Sequence, residues 1–116
     1  MITLNQRPVA NAHVLTVAGK IDARTMGDFE DGIRALIDGG HFNVVIDFAE
    51  VPFISSAGLG ILMSVIEEIR DAGGDLVLAC VVPEVYRIFD LLEFTTLFQF
   101  FPTVDEAIAA FAGQGA

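Results

Sequence analysis

The chain has 116 residues and a formal charge of −10, from 16 acidic and 6 basic side chains. That length suits one domain with a single core, and the acidic excess disfavours direct binding to nucleic acid or to an anionic membrane surface. A basic surface on another protein is the better electrostatic match.

The chain begins with two segments of strand-like alternation, Ile2–Arg7 and His13–Ala18, joined by a turn that contains Asn11. An amphipathic helix comes next, which Asp22 or Thr25 can cap and which a pair of glycines ends. Its apolar positions are spaced for one buried face and are Met26, Phe29, Ile33 and Ile37. The chain is therefore predicted to open as a hairpin followed by a helix.

A nearly continuous apolar run, Phe42–Phe48, predicts a strand that is covered on both faces. It leads through a loop with two adjacent serines, Ser55 and Ser56, into a second helix. The apolar positions of that helix are Leu59, Leu62, Met63 and Ile66. Asp75–Val82 is then predicted to form another buried strand.

Pro83 suits the first position of a third helix, and Leu97–Phe101 is predicted to form a short last strand. The segment Thr103–Glu106 is typical of a capping box at the start of a fourth helix. The order β-β-α-β-α-β-α-β-α predicts an α/β fold with a mixed, mostly parallel sheet of about five strands and about four helices. One domain is expected over residues 1–112, with a flexible tail at 113–116.

Because the carboxyl ends of parallel strands meet at one edge of a sheet, Asp22, Ser55 and Ser56 are expected to lie close together. Backbone N–H groups at a helix start favour an anion, so a serine there is either a plain helix cap or the acceptor of a phosphate. The residues themselves leave both roles open.

Self-contained catalysis is not expected. His13 and His41 each precede a strand, which places them roughly 23 Å from the serine loop, too far to activate a hydroxyl. Ile54 stands where the hydrolase elbow needs glycine. The segment Gly58-Leu59-Gly60 lacks the third glycine of a dinucleotide-binding loop and predicts close packing of helix on sheet. Neither a metal nor a cofactor is expected.

The single cysteine, Cys80, lies in an apolar run and is expected to pack in the core of a cytoplasmic protein without disulfides. No signal peptide and no run long enough to span a bilayer are evident, so membrane insertion is not expected. Four phenylalanines are expected mostly in the core, with a few forming an apolar contact patch: Phe94, Phe98, Phe100 and Phe101.

The segment Val44–Gly60 resembles the signature of STAS domains, specifically of anti-sigma-factor antagonists. That signature is an apolar strand, an aspartate, a spacer, an aromatic or apolar pair, a serine-containing turn and Gly-Leu-Gly. The segment Gly19–Asp22 resembles a second common segment of the family, and the order of elements agrees from residue 2 to about 112.

The resemblance implies a partner-switching regulator that is a phosphoprotein and not an enzyme. In such antagonists the unphosphorylated protein binds an anti-sigma factor that is also a serine kinase, which frees a sigma factor. Phosphorylation blocks that binding, and a serine phosphatase resets the cycle. The resemblance assigns phosphorylation to Ser56 and partner binding to Asp22, Ser55, Ser56, Gly58 and Leu59.

One departure and two alternatives remain. Many relatives carry aspartate where this chain has Ser55, so Ser55 is a second hydroxyl that could compete with Ser56 for the kinase. The first alternative is a scaffold subunit of a signalling complex or transporter, in which Ser56 is never modified. The second is a small nucleotide-binding or catalytic domain that uses the edge between Asp22 and Ser56.

Overall fold

The computed structural model describes residues 1–112, which form two consecutive strands and then four helices alternating with three more strands. The strands are β1 (Thr3–Val9), β2 (Ala12–Ala18), β3 (Asn43–Glu50), β4 (Asp75–Ala79) and β5 (Gln99–Phe101). The helices are α1 (Met26–Asp38), α2 (Ser56–Asp71), α3 (Pro83–Leu91) and α4 (Val104–Ala109). The predicted order of elements is confirmed. The tail expected at 113–116 lies outside the described residues.

The strands form one sheet in the order β1-β2-β3-β4-β5. β1 pairs antiparallel with β2, and each later pair is parallel, so the predicted mixed and mostly parallel sheet is confirmed. The hairpin between β1 and β2 is tighter than predicted, because Val9 pairs directly with Ala12. Asn11 adopts a φ of 65° in this turn, a left-handed conformation that asparagine tolerates better than most residues.

β3 is the central strand and is covered on both faces, as its apolar run predicts. Val44, Ile46 and Phe48 belong to the larger core cluster, which also contains buried residues of α1, α2 and α3. Val45 belongs to a smaller cluster with residues of α4. All four of these side chains are fully buried. Alternate side chains of β3 therefore point to opposite faces of the sheet and pack in the two cores of a three-layer fold.

Two strand boundaries differ from the prediction. β4 ends at Ala79 instead of Val82, because Cys80 turns out of the strand with a φ of 61°. β5 begins at Gln99 instead of Leu97, because the Leu97 N–H donates to the Phe94 carbonyl and closes a turn. Hydropathy alone reads both segments as strand, since apolar residues continue through each turn.

Cys80 packs against the smaller core cluster, as predicted, but the residue is only half-buried because it lies in the bend after β4. Partial burial raises the pKa of the Cys80 thiol, and the nearby Asp47 carboxylate raises it further. The thiol is therefore kept protonated and unreactive at neutral pH. Of the four phenylalanines, only Phe98 is buried, and Phe94, Phe100 and Phe101 are half-buried.

The two glycines at the start of α2 have different surroundings. A Cβ atom on Gly58 would lie 2.8 Å from Ile21 Cγ2 and 2.9 Å from Ile54 Cγ1. A Cβ atom on Gly60 would meet nothing within 4 Å. The predicted close packing of helix on sheet is therefore confirmed for Gly58 and wrong for Gly60.

This difference gives a matched pair of substitutions. Gly58→Ala should lower the free energy of unfolding by about 1–3 kcal/mol, because the new methyl group displaces buried side chains. Gly60→Ala should raise it by about 0.5–1 kcal/mol, because alanine is the better helix former at an open position. Urea denaturation measures both values. Equal effects of the two substitutions would contradict the close contact at Gly58.

Candidate functional site

Two loops meet at the carboxyl edge of the sheet. The Ile21 N–H donates to the Phe53 carbonyl with 2.9 Å between nitrogen and oxygen, and the Ser55 N–H donates to the Ile21 carbonyl at 2.8 Å. Ile21 and Ile54 form an isolated parallel bridge, and both side chains are fully buried. These contacts hold Asp22 beside the loop that carries the two serines, as the topology predicts.

The two serines have different environments although they are adjacent. Ser55 is half-buried and is the N-cap of α2, where its Oγ accepts a hydrogen bond from the Gly58 N–H at 3.1 Å. Ser56 is the first residue of the helix and is exposed. The Ser55 hydroxyl therefore stabilises the helix start, and Ser56 is displayed at the positive end of the helix dipole.

The capping role of Ser55 is compatible with the aspartate that the family resemblance implies at this position. Serine and aspartate are both strong N-cap residues, because each offers an oxygen to the free N–H groups of the first turn. The serine keeps the cap and removes one negative charge from the neighbourhood of Ser56.

Asp22 is held in a tight turn before α1. Its Oδ1 accepts a hydrogen bond from the Arg24 N–H at 3.0 Å, and the Asp22 N–H donates to Thr25 Oγ1 at 3.0 Å. The Thr25 hydroxyl donates to the Lys20 carbonyl at 2.6 Å. The bond from the Arg24 N–H lowers the pKa of the Asp22 carboxyl, which is therefore ionised at neutral pH. Thr25 is the N-cap residue, and its side chain makes no capping bond to α1.

Gly58 and Leu59 are both buried, Leu59 completely. The expectation that they bind a partner therefore needs correction, because neither presents a surface that another protein could touch. Their part is to seat the first turn of α2 on the core, which fixes where Ser56 lies. Of the residues expected to bind a partner, Asp22, Ser55 and Ser56 are the ones with side chains at the surface.

Phe53 is a surface residue of this loop that the sequence did not single out. It lies in a short apolar run between Val51 and Ile54, which are both fully buried, yet 41% of Phe53 is exposed. Pro52 in the same run is the available signal, because proline favours a turn in which successive side chains do not all face the core.

The histidines lie at the amino edge of the sheet, on the opposite side from the serine loop, as predicted. The rings of His13 and His41 are stacked, with 3.8 Å between centroids and 26° between planes. They line a cavity of about 420 Å³ together with Asn11 and Asn43. Partial burial lowers the pKa of His13, and the neighbouring His41 lowers it further. Neither imidazole can serve as a base for a serine at the other edge.

Among residues 1–112, no group of three or more histidine, cysteine, aspartate or glutamate side chains is arranged to hold a metal ion. The same part of the chain contains no helix with the length and apolar character needed to cross a bilayer. What the carboxyl edge offers is a hydroxyl, a carboxylate and an aromatic ring. These groups suit recognition by another protein.

Comparison with known proteins gives a consistent family. A family model described as the STAS domain matches residues 2–107. BtrV of Bordetella bronchiseptica, named as an anti-sigma factor antagonist, is 30% identical over 98 residues, which cover 84% of this chain and 84% of BtrV.

Solved structures agree. An anti-sigma factor antagonist from Mycobacterium paratuberculosis superposes with a TM-score of 0.83 at 29% identity, covering 96% of this chain and 94% of that one. The antagonist SpoIIAA in its unphosphorylated form superposes with a TM-score of 0.81 at 19% identity, covering 96% of this chain and 97% of SpoIIAA. The phosphorylated form of Bacillus SpoIIAA superposes with a TM-score of 0.71 at 18% identity, covering 93% of this chain and 98% of that one.

The capping role of Ser55 predicts distinct stabilities for variants of the two serines. Ser55→Ala should lower the free energy of unfolding by about 1 kcal/mol, because the Gly58 N–H loses its acceptor. Ser55→Asp should keep wild-type stability, and Ser56→Ala should change it by less than about 0.5 kcal/mol. Chemical denaturation of the three variants tests this assignment. A larger loss at Ser56 than at Ser55 would contradict it.

The histidine pair predicts a pH dependence of stability. The pKa of His13 is lower in the folded protein than its ordinary value of 6.5, so the unfolded chain takes up a proton first as the pH falls. The contribution of His13 to the free energy of unfolding is therefore complete above about pH 6.5. It declines as the pH falls from there to the pKa of His13 in the folded protein. The Tm of the wild-type protein should decrease when the pH is lowered from 7.5 to 5.5. The decrease should be smaller in His13→Gln. An unchanged slope in His13→Gln would refute the assignment.

Proposed function

This chain belongs to the STAS domain family, among the anti-sigma factor antagonists, and we propose that it controls its partner through the phosphorylation state of Ser56. In the proposed cycle the unphosphorylated protein binds an anti-sigma factor that is also a serine kinase, and a sigma factor is released. Phosphorylation of Ser56 ends that binding, and a serine phosphatase restores it. The cycle takes place in the cytoplasm, and this chain is the substrate of both enzymes and catalyses neither step.

The exposure of Ser56, next to a Ser55 whose hydroxyl caps α2, carries the proposal. A kinase must reach the hydroxyl that it modifies, and Ser56 is exposed at the first position of α2. Ser55 is half-buried and already accepts the hydrogen bond from the Gly58 N–H. The same geometry that favours Ser56 as the phosphate acceptor therefore disfavours Ser55 as its competitor.

A phosphate at this position changes binding more than it changes folding. It adds about −1.5 to −2 charges, which the start of a helix tolerates with a gain of about 0.3–1 kcal/mol. Against a partner surface fitted to a neutral hydroxyl, the same group costs on the order of 2–5 kcal/mol, or about 1.5–3.5 decades of affinity. Phosphorylation of Ser56 should therefore preserve the fold and abolish binding of the partner.

The relatives support this proposal at the level of the fold. SpoIIAA has been solved in a phosphorylated form, and that form still superposes on this chain over 93% of its length. A protein with this architecture can therefore carry a phosphate and keep its strands and helices. BtrV and the mycobacterial protein share the antagonist name with SpoIIAA, which favours a partner of the same kind here.

The experiment uses each ATPase-type anti-sigma factor of the source organism, purified, beginning with one encoded beside this gene. Incubation with ATP and magnesium should add one phosphate to the wild-type protein and to Ser55→Ala, and none to Ser56→Ala, by intact mass. In calorimetric titration without ATP, Ser56→Asp should weaken binding by at least about tenfold, and Ser56→Ala should bind within about threefold of wild type.

Ser64→Asp is the matched control, because Ser64 is also exposed on α2 but lies two turns away from its start. It should bind like the wild-type protein. Binding without any modification would favour a constitutive scaffold in which Ser56 is never phosphorylated. Tight nucleotide binding or turnover by this chain alone would favour a nucleotide-binding domain.

A further inference from the structure

A second feature shares the carboxyl edge of the sheet with Ser56. Two neighbouring depressions, of about 580 and 380 Å³, have Ala49 and Val82 as a common wall. We call them together the edge groove. The larger part is mostly apolar and is lined by Val81, Tyr86, Phe101 and Pro102, among others. The smaller part contains Glu50, Pro52 and Glu84.

The edge groove is continuous with the serine loop. Ala49 lies near the end of β3, Cys80 directly follows β4, and Pro102 directly follows β5, so the groove spans the carboxyl ends of three adjacent parallel strands. Pro52 and the exposed Phe53 connect its smaller part along the chain to the serines. The carboxyl edge is where open α/β sheets bind their ligands.

The groove presents an aromatic side chain that is already oriented. Tyr86 is 42% exposed, and its ring packs edge-on against Phe100 with 5.0 Å between centroids. Exposed tyrosines that are held in place bury a large area at little cost in conformational entropy, which is why they are common among binding hot spots. Tyr86 is therefore equipped to anchor a partner.

The charges on the groove restrict the occupant. Glu50 and Glu84 are both exposed, and the ion pairs within residues 1–112 include neither of them. A lysine or arginine can lay its aliphatic stem on the apolar floor and bring its cationic head to these carboxylates. A second copy of this chain is disfavoured, because it would bring another charge of −10 to an acidic rim.

We propose that the edge groove is a second docking site for the partner that reads Ser56, and that it takes an apolar segment of the anti-sigma factor containing a lysine or arginine. This inference rests on the proposed function. One partner then spans the serine loop and the groove together. The groove supplies affinity that does not depend on phosphate, and Ser56 supplies the switch.

The test is a titration of the same purified anti-sigma factor with variants of the groove. Glu84→Lys should weaken binding by at least about tenfold by reversing a charge at the contact, and Tyr86→Ala should do so by removing the anchor. The matched controls are Glu67→Lys, exposed on α2, and Leu91→Ala, whose residue is 75% exposed at the far end of α3. Both controls should bind within about threefold of wild type.

Ser56→Asp in the same assay separates the two proposals. If Ser56→Asp weakens binding and both groove variants bind like wild type, the groove is not a docking site and the proposed function stands. If no anti-sigma factor binds the wild-type protein, both proposals are overturned. A dimer of this chain by light scattering that Glu84→Lys or Tyr86→Ala dissociates would assign the groove to self-association instead. Thermal melts of every variant exclude unfolding as the cause.

Discussion

The structure depends on the pair of hydrogen bonds that Ile21 makes to the loop after β3. Its N–H and its carbonyl both bond to that loop, to Phe53 and Ser55, and its side chain is buried beneath the first turn of α2. Gly58 lets the helix approach closely enough to cover this contact. Two loops that are distant in sequence are thereby fixed to each other, and their contact determines where α2 begins.

Because the start of α2 is fixed in this way, the hydroxyl groups of Ser55 and Ser56 can have different roles. Ser55 uses its oxygen to cap α2, and the helix therefore does not rely on Ser56 for its start. A charge placed on Ser56 changes what the surface offers to another protein and leaves the cap intact. Under the proposed function, the fold is a rigid scaffold on which one exposed group is altered. If the edge groove also binds the partner, as we propose, its contacts do not change when Ser56 is phosphorylated.

The sequence predicted the elements that periodicity and turn residues encode, and it predicted that the Asp22 loop and the serine loop meet, because parallel topology requires it. It failed where local geometry overrides hydropathy. Cys80 leaves β4 in a left-handed conformation although apolar residues continue on both sides. The stacking of His13 on His41 depends on the register of β2 against β3, and the exposure of Tyr86 depends on how α3 sits beside the sheet. Neither is a property of a short window of residues.

The outermost strands carry one further consequence. β1 contains Pro8 together with the charged Arg7, and β5 is only three residues long. Proline, charge and brevity each hinder the addition of a foreign strand to a sheet, so both flanks resist growth into fibres. The protein can therefore reach a high concentration without polymerising through the edges of its sheet.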